Sequence, residues 1–101
     1  MDPRDLRQAV QQMAMLELAQ AALERRDEVM DVVWNANDKD EAVDRIRDLL
    51  GVQPPAHPFV VLDMPIWRLT KKAREEIAAN IAILRDRVKS LREEDEGLSP
   101  G

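Results

Sequence analysis

Few residues of this chain have the types or spacing that chemistry needs. His57, the one histidine, lies between prolines in "QPPAHP", and the chain contains no cysteine. A zinc site needs three or four converging Cys, His or carboxylate ligands, and a triad needs a histidine between a nucleophile and an orienting acid. Neither pattern is present, so His57 reads as a turn residue in a proline-rich loop. Glu24, Asp27, Glu28 and Asp31 mix with Arg25 and Arg26 at helical spacing. General acid–base work needs a carboxylate held in a dry pocket, whereas such mixtures make solvated faces laced with i,i+4 ion pairs. Arg68, Lys71, Lys72 and Arg74 surround Thr70. Cations at a helix start oppose the macrodipole, so this group reads either as a basic patch for DNA or an acidic partner, or as a surface cluster balanced by Glu75 and Glu76. The residues call for no cofactor, no metal and no small-molecule substrate.

The composition bounds the classes that remain. The chain has 101 residues, 45% apolar and 35% charged, with a formal charge of -5, three glycines and no tyrosine. That length allows one domain, 1–101, near the lower end of what buries a core unaided. The balance of Ala, Leu, Glu, Arg and Asp belongs to helices with solvated outer faces. The negative charge makes DNA contact weak at best. The charged start lacks the apolar stretch of a secretory signal, no apolar run is long enough to span a membrane, and the absence of cysteine fits a reducing compartment. The expectation is a soluble cytoplasmic protein with no membrane contact.

The elements that position these residues follow from periodicity. Asp2 and Pro3 read as cap and first position of a helix over 3–35, with Ala9, Leu16, Leu23 and Met30 recurring every seven residues. Leu6, Val10, Met13, Ala19 and Val33 flank that stripe. "NANDKDEA" ends the helix, and Asp38 with Glu41 resembles a capping box. A short helix follows, with Ala42, Val43, Ile46, Leu49 and Leu50 inward and Gly51 as its C-terminal cap. Pro54, Pro55 and Pro58 exclude helix until residue 59. Residues 38–69 thus form a small helical, Pro-rich head. Thr70 caps a returning helix over 70–94, whose Ile77, Ile81, Leu84, Val88 and Leu91 are spaced as a coiled-coil seam. Residues 95–101 read as a frayed acidic tail. The architecture is all-α: an antiparallel coiled-coil hairpin of two long helices with the head between them. Trp34 reads as head core. Trp67 reads either as core or, with Ile66, as an apolar anchor for a second molecule.

At this point the residues carry a resemblance. "LDMPIWRLT", 62–70, is similar to the Leu-Asp-Met-x-x-x-Arg-Leu-Thr stretch of the A subunits of bacterial type IIA topoisomerases, gyrase A and its topoisomerase IV counterpart. Upstream, "MLELAQAALERRDEVMDVV" and "NDKDEAVDRIRDLL" resemble the outgoing coiled-coil helix and the short helix after it. Downstream, "REEIAANIAILRDRV" resembles the returning helix. In that family the segment is a coiled-coil tower whose tips meet, across the dimer, as the DNA exit gate. Pro65, Ile66 and Trp67 replace a polar and basic triplet, and "QPPAHPFVV" replaces the helix that leads into the motif. With no tyrosine, no phosphotyrosyl intermediate can form, and the resemblance implies a free-standing, non-catalytic tower.

The resemblance therefore implies an interaction module that homodimerises head to head or side by side, with a type IIA topoisomerase A subunit as a candidate partner. Phe59, Leu62, Met64, Ile66, Trp67 and Leu69 are the candidate interface, although Leu62 and Leu69 also read as head core. One alternative is a small helical dimeric enzyme of the chorismate mutase kind, with Arg4, Arg7 and Arg26 as its cations; no inward-facing set of cations is evident. Another is a DNA-binding accessory protein using the patch from Arg68 to Arg74.

Overall fold

The computed structural model describes residues 3–98, and the side chains of residues 4–94. Five α-helices and one 3₁₀ turn follow in order: α1 (Pro3–Glu24), α2 (Arg26–Asn35), α3 (Lys39–Leu50), α4 (Phe59–Leu62), the turn Ile66–Leu69, and α5 (Lys71–Leu98). The molecule measures 54 × 29 × 16 Å. Its thinnest dimension is little more than one helix diameter of about 10–12 Å, and each helix keeps an exposed side.

The long helices α1 and α5 pack together along their length. Leu23 joins Ile77 and Ile81 in one buried cluster, with Leu16 and Met64 against it. Of the expected seam, Ile77, Ile81 and Val88 are buried while Leu84 and Leu91 are half-buried, and Ala73 continues it toward the head. Glu17 and Arg85 face each other across the helices at 3.9 Å. On α1, Ala9, Leu18, Ala19, Ala22 and Leu23 are buried.

The single helix expected over 3–35 is divided. Arg25 adopts φ -114°, ψ 34°, outside the α region, and the chain continues as α2. No glycine or proline marks the place. The cause is tertiary: Val29 of α2 packs with Ala22 and Ile46 in a second cluster that also draws in Val32, Leu49, Leu50, Val61 and Leu62. Reaching α3 requires α2 to leave the axis of α1. Arg25 fixes the bend, its Nη1 donating to the carbonyl of Leu49 at 3.0 Å and its Nε to Glu28 at 3.1 Å. Val29 lies seven residues after Ala22 and shares its inward side, whereas Met30, seven residues after Leu23 on the expected stripe, is 64% exposed.

Local signals elsewhere hold. Asp38 accepts the Glu41 N–H at 2.9 Å as the cap of α3. The reciprocal bond of the expected box shifts by one residue, with Glu41 accepting from the backbone and side chain of Asn37. Gly51 closes α3 at φ 62°, ψ 40°, the left-handed geometry that a Cβ disfavours. Pro58 is fully buried and ties the proline-rich loop to the head. Thr70 caps α5, its Oγ1 accepting from Ala73 at 3.2 Å. The helix continues to Leu98, past the expected end at 94. The expected cap Asp2 and residues 99–101 of the tail lie outside the described residues.

Ile46 is fully buried at the meeting of α1, α2 and α3. Ile46→Ala should cost about 2–5 kcal/mol in urea unfolding, and Asp38→Ala about 1 kcal/mol, the first by leaving a cavity and the second by freeing helix N–H groups.

Candidate interaction surface

Six side chains around residues 59–69 were expected to form an interface, and the fold divides them. Leu62 packs against the cluster around Ile46, and Met64 against the one around Ile77. These two serve the core. Phe59, Ile66, Trp67 and Leu69 are exposed, at 43%, 82%, 59% and 39% respectively. Leu69 is therefore not head core. Local geometry explains the outward set. Pro65 is extended at ψ 146° and launches the 3₁₀ turn, in which Arg68 N–H donates to the Pro65 carbonyl at 3.1 Å. Three residues per turn place Ile66 and Leu69 on one side, and both line a groove of about 250 Å³ with Met30 of α2.

That groove joins the head to α2, a link absent from the sequence reading. Trp34, expected in the core, is 88% exposed. It stands one turn beyond Met30, on the same exposed side of α2. Val33 is also exposed. The signal that could have found this surface is the run "VMDVVWN", which carries more apolar residues than one inward face of a ten-residue helix can bury.

The expected basic patch is divided as well. Arg68 is half-buried, its guanidinium 5.7 Å from the Trp67 ring centre, and it lines a second groove of about 600 Å³ between α1 and α5 beneath the head. That groove is walled mainly by Met15, Leu16, Phe59, Met64, Ile83 and Leu84. Arg74 lies on a different depression, together with Arg26, Gln20 and Glu24. Lys71 and Lys72 are exposed. Arg68 and Arg74 thus line separate depressions. Arg4, Arg7 and Arg26 are all exposed, and no charged side chain is buried among the described residues.

His57 acts locally: its Nδ1 accepts the Phe59 N–H at 3.2 Å and its ring stacks on Phe59 at 4.5 Å. Lys39 lies 4.7 Å above the same Phe59 ring and 3.6 Å from Asp63, linking the start of α3 to the head. Among the described residues no three His, Asp or Glu side chains gather as a metal site. None of the described helices is long and apolar enough to cross a membrane. No known family model matches the chain, and no curated protein matches it.

The bond from Arg25 holds the Glu28 carboxyl below its ordinary range, with charge attraction adding to it. A lowered folded value means that the stabilisation is complete above the ordinary carboxylate range and is lost as pH falls through the lower value. Glu28→Gln should therefore flatten part of the acid limb of a stability-versus-pH curve followed by circular dichroism. Trp34→Ala should leave stability within about 0.5 kcal/mol, as expected for an exposed side chain, and acrylamide should quench Trp34 fluorescence freely in a Trp67→Phe background.

Proposed function

We propose that this chain is a non-catalytic interaction module, a tower whose head docks against another tower head. One observation carries the reading: among the described residues, the exposed large apolar side chains all belong to α2 or the head, Ile83 excepted. Met30, Ile66 and Leu69 share one groove, Trp34 and Trp67 are exposed on the same two elements, and tryptophan is a residue type that often anchors a binding site.

An antiparallel hairpin suits this role. Its support is the pairing of late α1 residues with early α5 residues, Leu23 with Ile77 and Ile81, and of Glu17 with Arg85 farther along. Such a hairpin holds the head at one end of an elongated molecule, where it can meet a partner without obstruction. The similarity of 62–70 to the type IIA topoisomerase tower supplies the partner: the A subunit of such an enzyme, met tip to tip at its exit gate. The departures at Pro65, Ile66 and Trp67 fall on the outward turn, so this head carries its own surface where the family has a polar one.

Co-elution with purified gyrase A and a supercoiling assay test the reading directly. Binding or altered supercoiling is expected, weakened at least about tenfold by Ile66→Glu or Trp67→Ala, the scale of an anchor side chain. Neither co-elution nor any change in supercoiling would remove the topoisomerase partner. Strong, salt-sensitive retention on DNA by this chain alone would favour the DNA-binding alternative instead.

A further inference from the structure

A second face of the molecule, independent of the head, has the pattern of a self-complementary interface. Lys72, Glu76, Ala79, Ile83, Arg87, Ser90 and Glu94 follow one another along α5 at steps of three or four residues and are all exposed. They therefore form one stripe of the helix, apart from the buried Ile77, Ile81 and Val88. Ile83 is 65% exposed, the one large apolar side chain of α5 so placed among the described residues. It stands at the rim of the 600 Å³ groove beside Met15 and Leu84.

The charges of α5 oppose its own dipole at both ends. Its first turn has no acid and its last turn no base. Lys71, Lys72 and Arg74 crowd the positive end, and Glu93 and Glu94 lie toward the negative end. Each arrangement is unfavourable for the helix taken alone. Among the described residues neither Lys72 nor Glu94 has an ion-pair partner within the chain. The stripe is also symmetric about Ile83: Lys72 lies eleven residues before it and Glu94 eleven after, while Glu76 and Ser90 lie seven to either side.

We propose that two copies of the chain pair antiparallel through this stripe, Ile83 against Ile83 at the two-fold axis and Lys72 of each copy against Glu94 of the other. The same register sets Ala79 opposite Arg87, one turn from Glu76, so Arg87 reaches across a small residue to a carboxylate on the other copy. Each mismatched helix end then meets its complement. A parallel pairing would set Lys72 on Lys72 and Glu94 on Glu94, and like-charge contacts disfavour it. The interface is isologous, so it closes as a dimer and leaves the two heads free at opposite ends.

Charge exchange tests the pairing by sedimentation equilibrium at low salt. Lys72→Glu and Glu94→Lys should each weaken self-association at least about tenfold, since each sets two like-charge contacts in the dimer, and the double variant should restore it. Positions 72 and 94 are about 33 Å apart along one helix, so that rescue can arise only between copies. Ile83→Glu should abolish association while helix content is retained, and Ile66→Glu on the head should leave it intact. A wild-type chain that stays monomeric at about 100 µM, a double variant without rescue, or a dimer lost with Ile66→Glu but kept with Ile83→Glu would each overturn the proposal.

Discussion

The structure depends on one demand made of the end of α1. Ala22 and Leu23 are neighbours in sequence but belong to different clusters: Ala22 packs toward Val29 and Ile46, Leu23 toward Ile77 and Ile81. A helix places consecutive side chains about a hundred degrees apart, so here α1 is apolar on two sides at once. One side holds α5 and the other holds the head. A straight α1 could not carry its next two turns onto α3, and the bend at Arg25 reconciles the two packings.

Much of the rest follows from that bend. Arg25 spans it, bonded both to Glu28 and to the otherwise open carbonyl of Leu49 near the end of α3. A guanidinium near a helix C-terminus suits both the unsatisfied carbonyl and the negative end of the dipole. With the Ala22–Val29 side turned to α3, Met30 on the Leu23 side is left open, and it joins Ile66 and Leu69 in an apolar groove that neither α2 nor the 3₁₀ turn has alone. The surface that supports the proposed role is in this sense a product of core packing: burying Val29 leaves Met30 and Trp34 in water.

The same thinness leaves much of α5 with solvent on its outer side. A molecule 16 Å across at its narrowest cannot cover both sides of a long helix from within. Natural helices in that position are made polar, and α5 largely is, with Arg, Asp, Glu and Lys on its outer faces. Ile83 and the reversed charges at its ends depart from that rule. A departure shared by the middle and both ends of one stripe is more economically explained by a partner than by three separate accidents of composition.

The sequence by itself determined what short-range physics controls. The α-helical class, the cap Asp38, the left-handed Gly51, the Thr70 start of α5 and the buried stripe of Ile77, Ile81 and Val88 were all legible, because each depends on contacts within a few residues or on one period of hydrophobicity. Half of the candidate surface was legible too: Ile66 and Trp67 stood out as apolar residues beside a proline in a chain of solvated helices. The tertiary structure alone decided the bend at Arg25, the exposure of Met30 and Trp34, the inward turn of Leu62 and Met64, and the separation of Arg68 from Arg74. None of these has a local signature, since each depends on which helix arrives from elsewhere in the chain to cover which side. A seven-residue period can say that one face of a helix is buried, but not that the face changes where a third helix must be met.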